Sequence, residues 1–180
     1  MQKGTPFQLD TVSVRLVKDA PLFSNKRIKS PEDAISVVGE FLCDMDREVI
    51  CMINLKTDGT PVNCNFASMG AVNQAVAEPR ELLKSAILSN AASMIMVHNH
   101  VSGFLEPSKE DTVLTDRLLK ISSLVGIPLW DHVIVGGDNS RYFSFHEKGL
   151  IKIPRIDYVE DYGQLDFPAH AMVAEKGRSR

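Results

Sequence analysis

A chain of 180 residues with 44% hydrophobic and 24% charged side chains has the balance of one soluble globular domain. A chain of that length buries on the order of 70% of its unfolded surface, so it needs neither disulfides nor a metal to hold a core together. The net charge of −3 leaves nucleic acid possible but unsupported as a partner, and the lack of either an N-terminal leader pattern or a run of ~18 apolar residues excludes a membrane span and points to the cytoplasm.

In chain order, Thr11 to Val17 alternate in the manner of a strand and are followed by a basic patch at Lys26, Arg27 and Lys29. Residues 1–29 therefore read as an N-terminal strand and loop. Ser30-Pro31-Glu32-Asp33 predicts a helix start, because Ser caps, Pro is tolerated in the first turn and the two acids suit the positive helix end. Ala34, Ile35, Val38, Phe41, Leu42 and Met45 keep helical spacing to about Asp46. Glu48 to Leu55 is a short apolar run, and Asp58-Gly59 after it signals a hairpin to a second strand over about Pro61 to Ser68. Glu78-Pro79-Arg80-Glu81 opens another helix, ending near Asn90, and Ser93 to Val97 reads as a buried strand.

Next come His98-Asn99-His100-Val101-Ser102-Gly103, a loop, and Ser108-Lys109-Glu110-Asp111. Ser108 is the expected N-cap of a helix running to Val125 and stopped by Gly126. Val133 to Val135, the turn at Gly136 to Asn139 and Tyr142 to Phe145 predict a final hairpin, and Arg155 to Arg180 an irregular tail. The interleaving of elements favours a mixed α/β fold around one sheet, with the main domain over residues 30–154. Cys43, Cys51 and Cys64 are odd in number and form no Cys-x-x-Cys pair, so they are expected as reduced, buried thiols.

Side chains alternate along a strand, so two histidines two apart at a strand end point the same way and can share one ligand. Asp111, in the first turn of the following helix, can return a carboxylate to that place. Two histidines, one aspartate and an open fourth position are the donor set of catalytic zinc, one ion per chain. Such a site lowers the pKa of a water and needs a proton acceptor beside it. Glu48 and Glu40 are the two upstream candidates. Ser108 or Ser102 could donate a hydrogen bond to an oxyanion, although Ser108 also suits a plain cap and Asp111 a plain helix-dipole carboxylate. A zinc deaminase does not fit, because it needs His-x-Glu and a Pro-Cys-x-x-Cys pair.

His98-x-His100, seven residues, Ser108, two residues and Asp111 resemble the signature of JAMM/MPN metalloproteases. With Glu48, Pro79-Arg80-Glu81, Ser102-Gly103, Pro107 and Asp131-His132, residues 30 to 150 look like the RadC-type bacterial branch. The resemblance implies a mainly antiparallel mixed sheet sandwiched by helices, the cytidine-deaminase-like arrangement. It also implies zinc on His98, His100 and Asp111, an oxyanion role for Ser108, and a glutamate acid/base at a helix-to-strand junction, which favours Glu48 over Glu40. The substrate so implied is a peptide or isopeptide. The alternative is a nucleic-acid-associated accessory protein of a mobile element or phage, a DNA-repair-type role with a retained zinc site. Two positions depart from the branch: Val101 stands where Pro is usual, and Glu78 where His is expected. No helix-hairpin-helix segment is recognisable in residues 1–29. Asp131-His132 reads as a structural or substrate-side polar pair.

Overall fold

The computed structural model describes residues 13–69, 77–138 and 140–156. Its elements run α1 (Pro31–Cys43), β1 (Val49–Leu55), β2 (Pro61–Met69), α2 (Pro79–Leu88), β3 (Ser93–Asn99), α3 (Lys109–Val125), β4 (Leu129–Val135) and β5 (Tyr142–Ser144). Helix α1 starts as its sequence dictates: the Ser30 side chain accepts the Asp33 N–H, with Pro31 in the first turn. It stops at Cys43, short of the expected Asp46, where Met45 N–H bonds back only three residues to Leu42. That tighter turn sends the chain out of the helix and into β1. At the β1–β2 hairpin Gly59 has φ +82°, and a Cβ there would meet the Ile28 carbonyl oxygen at 2.7 Å, so both its conformation and its packing require glycine.

The sheet order is β2-β1-β3-β4-β5. Strand β1 pairs antiparallel with β2 and β3, and β4 pairs antiparallel with β5. Only β3 and β4 are parallel, and α3 is the crossover that a parallel pair needs. The mainly antiparallel mixed sheet with helices on both sides is the fold class expected from the sequence.

Alternation sorts the side chains into two layers. Cys51, Ile53, Ile95, Val97, Val133 and Val135 pack with Ala34, Ile35, Val38 and Leu42 of α1. Ile50, Met52, Met94, Met96 and Ile134 face the other way and pack with Leu82, Leu83 and Ala86 of α2 and Leu118 and Leu119 of α3. Every residue of β1 and β3 is buried, as befits strands covered on both faces.

Two expectations need correction. Ser13 to Val17, the described part of the predicted early strand, form no strand and lie exposed. Among the described residues they pair with neither edge strand, β2 or β5. Thr11, Val12 and the tail beyond Ile156 lie outside the described residues. The cysteines form no disulfide, as expected, but only Cys51 is buried; Cys43 and Cys64 are half-buried, and the Cys43 thiol donates to the Gly136 carbonyl at 2.9 Å.

Candidate metal centre

His98 is the even-numbered successor of Met94 and Met96 on β3, so the alternation that buries those two aims His98 at the α2/α3 side. His100 follows the strand end, its N–H held by the Val135 carbonyl of β4 at 2.9 Å. A turn then closes from Gly103 N–H to the His100 carbonyl at 2.9 Å, with Gly103 at φ +74° and Val101 in the position after His100. The chain runs on to α3, where Ser108 and Asp111 cap each other: the Ser108 oxygen accepts the Asp111 N–H at 3.0 Å, and Asp111 Oδ2 accepts the Ser108 N–H at 2.7 Å. This capping box fixes the Asp111 carboxylate at the first turn.

Donor atoms of His98, His100 and Asp111 all lie within 4.8 Å of one another. His98 Nε2 is 3.4 Å from Asp111 Oδ1, and His100 Nε2 is 3.3 Å from Asp111 Oδ2. Two ligands on a tetrahedral ion with bonds of roughly 2.0–2.1 Å stand roughly 3.3–3.4 Å apart, so each histidine matches such an edge to one Asp111 oxygen, His98 to Oδ1 and His100 to Oδ2. The protonation pattern fits as well. His100 Nδ1 lies 2.7 Å from the Phe104 carbonyl oxygen, which can only accept, so Nδ1 carries a hydrogen and Nε2, facing Asp111 Oδ2, is the nitrogen that a metal would meet once its own proton is lost. His98 Nδ1 lies 2.8 Å from His132 Nε2, and His132 Nδ1 lies 2.7 Å from the Thr115 hydroxyl.

Burial dominates the electrostatics of His98 and pushes its pKa down to about 4, helped by the His100 charge and opposed by Asp111. Burial likewise holds His132 well below the ordinary imidazole value. For His100 burial works downward too, but the hydrogen bond to Asp111, the Phe104 carbonyl and the charges of Asp111 and Glu48 outweigh it, so its pKa rises. Asp111 is raised by burial and lowered further by His100, His98 and Ser108, so its carboxyl sits well below the usual range. The centre therefore presents one anionic carboxylate beside a deeply buried neutral imidazole.

Glu48 lies immediately before β1 and lines the same cleft of about 770 Å³ as the three donors. Its placement follows from register. Ile50 pairs with His98 across the antiparallel β1–β3 ladder, and continuing two residues outward sets Glu48 beside His100 on the same face. Asn99, pointing the other way between the two histidines, fixes that stretch: its Oδ1 accepts the Val49 N–H at 2.7 Å and its Nδ2 donates to the Arg47 carbonyl at 3.0 Å. Glu48 is thus gripped through the backbone on both sides. Glu40, on α1, is exposed and is not among the residues lining this cleft.

Ser108 and Ser102 both line the cleft, but the Ser108 hydroxyl donates to Asp111 Oδ2 at 2.6 Å in this structure. Asp131 and His132 do not act as a pair. Asp131 turns toward β5, accepting from Ser144 Oγ at 2.6 Å and His146 N–H at 2.9 Å, whereas His132 turns toward His98. The His132 contact joins residues 34 apart in the chain and has no local signal. It depends on the parallel β3–β4 pairing, in which Met96 lies opposite His132.

A family model described as RadC-like JAB domain matches residues 28–150. The chain belongs to this family. It is 44% identical over 124 residues to a UPF0758 protein of Desulforamulus reducens, a match covering 69% of this chain and 54% of the relative. A UPF0758 protein of Clostridium acetobutylicum is 38% identical over 129 residues (72% and 56%), and one of Methanosarcina mazei is 35% identical over 127 residues (71% and 55%). The match thus spans about half the length of these curated relatives. Family membership agrees with the JAMM/MPN resemblance, RadC-type branch, and with a His98-His100-Asp111 cluster able to hold a metal. Among the described residues no helix is long and apolar enough to cross a membrane.

Proposed function

We propose that this domain is a cytoplasmic zinc-dependent hydrolase of amide bonds, a peptidase or isopeptidase, with one zinc per chain on His98, His100 and Asp111. The observation that carries the reading is the meeting of two imidazole Nε2 atoms and an anchored carboxylate at tetrahedral-edge distances, in a cleft that Glu48 also lines. A zinc ion bound there would supply a Lewis acid and make a water acidic enough to lose its proton near neutral pH.

The chain's own residues have separate tasks. Glu48, half-buried beside His100, takes a proton from the attacking water and delivers it to the leaving nitrogen, so one carboxylate serves first as base and then as acid. The Ser108 hydroxyl turns from Asp111 Oδ2 to donate to the oxygen that gains charge as the amide carbon becomes tetrahedral, while the Ser108 N–H keeps hold of the carboxylate. Phe104 and Val113, exposed on the cleft wall, offer apolar contact to a peptide, and Glu106 and Glu110 offer negative charge.

The test is metal analysis of the purified protein beside a panel of peptide, isopeptide and nucleic-acid substrates. About one zinc per chain, with amide hydrolysis that a chelator stops and zinc restores, is the expected result. A protein that takes up no zinc, or a zinc-loaded protein that turns over only nucleic acid, would overturn it.

A further inference from the structure

A ligand histidine is useful only if the nitrogen facing the metal is free of hydrogen, and the partner of its other nitrogen decides that. For His100 the Phe104 carbonyl takes the Nδ1 hydrogen locally and turns Nε2 toward the site. For His98 the partner is another imidazole, which could donate or accept, so the question passes along a chain of contacts.

The chain ends at Thr115. Its Oγ1 lies 2.6 Å from the Asp111 carbonyl oxygen, one helical turn back in α3. A carbonyl only accepts, so the single hydroxyl hydrogen of Thr115 is used there, and the 2.7 Å contact to His132 Nδ1 requires that nitrogen to donate. His132 is then the Nδ1–H tautomer, with a lone pair on Nε2. Across 2.8 Å that lone pair accepts the Nδ1 hydrogen of His98. His98 Nε2 is left bare, 3.4 Å from Asp111 Oδ1. Phe145 stacks on the His132 ring with centroids 4.6 Å apart and planes 7° from parallel, which fixes the ring's plane. His132 is fully buried, so no bulk water competes for either nitrogen.

We propose that Thr115 and His132 are positioning residues of the metal centre, acting through His98: the hydroxyl sets the tautomer of His132, and His132 sets the tautomer and orientation of His98 so that its Nε2 can bind a divalent metal. The proposal rests on the zinc reading above. It adds that α3 supplies both the Asp111 ligand and the Thr115 hydroxyl one turn further on, so one helix holds the site from two directions.

The experiment has two arms. In metal-free wild-type protein, long-range ¹⁵N–¹H correlation spectra of the histidine rings should show both His98 and His132 with hydrogen on Nδ1; hydrogen on Nε2 of either ring would overturn the proposal, with no variant needed. In the second arm, zinc alone is titrated against a competing chelator. His132→Leu and Thr115→Val should weaken zinc binding by about 10–100-fold, whereas Thr115→Ser, which keeps the acceptor, should stay within about twofold of wild type. Wild-type affinity in both Leu and Val variants, or failure of Thr115→Ser to retain it, would defeat the proposal while leaving the zinc site standing. Absence of zinc binding by wild type would instead remove the zinc reading itself, and this proposal with it.

Discussion

The two faces of the sheet are built from the same strands and differ in how they end. Toward α1, the middle of the sheet is apolar, with Cys51 and Ile53, Ile95 and Val97, Val133 and Val135 packed together, and the polar Asn99 and Asp131 of that face stand at strand positions beyond them. Toward α2 and α3, each strand begins in the same way and then changes character: Met52 and Ile50 lead to Glu48, Met94 and Met96 to His98, and Ile134 is two residues from His132. The polar groups occupy positions that a core would otherwise fill. Chemistry here is placed by the same alternation that places hydrocarbon, which is why the cleft has rigid walls.

The largest effect expected from breaking this division is at the ligands. His98→Ala or His100→Ala should abolish zinc binding, measured by metal analysis, and with it all hydrolysis. The α1-side core is untouched, so circular dichroism should show the fold retained; global unfolding of both variants would make the metal structural. Next is the pair of glutamates that the two faces separate. Glu48→Gln should keep zinc and lose at least about a hundredfold in turnover, whereas Glu40→Gln should fall within a few-fold of wild type. An active Glu48→Gln beside a dead Glu40→Gln would reverse the assignment.

Ser108→Ala sharpens the comparison between packing and chemistry. A lost cap costs about 1 kcal/mol of stability, and a lost oxyanion donor about 2.7–4 kcal/mol of barrier, so thermal unfolding and kinetics on the same sample separate the two roles. Asn99 crosses the division, because it faces away from the cleft yet grips the backbone on either side of Glu48. Asn99→Ala should leave zinc in place and slow turnover by about 10–100-fold, since misplacing a reacting group by about 1 Å can cost that much. Smallest is Val101→Pro, at the position of the His100–Gly103 turn where proline is favoured. It should stabilise the fold by about 0.4–1 kcal/mol, read as a rise in denaturation midpoint with unchanged zinc affinity.

Local signals were legible in the sequence. Ser30 and Ser108 cap where expected, Gly126 stops α3 at φ +78°, and Asp58-Gly59 turns β1 into β2. The His98-His100-Asp111 cluster was legible because its donors lie within one strand, loop and helix start, and short-range geometry brings them together. What could not be read depends on pairing between distant segments. The β-type alternation of Ser13 to Val17 states a local preference, and among the described residues no strand pairs with it. His132 looked like the companion of Asp131, but consecutive residues of a strand face opposite ways, and only the parallel register of β3 with β4 shows which of the two reaches the site.

The carbonyl of Val135, which holds His100 at the end of β3, belongs to the last strand but one. A chain that has left the ribosome only as far as Gly126 already carries His98, His100 and Asp111. It lacks the strand that receives the His100 N–H and the ring that meets His98. Closing that parallel pair requires the whole α3 crossover, a non-local step that comes late compared with hairpin formation. A metal bound at this cluster would therefore meet its full set of supports only once β4 has joined β3.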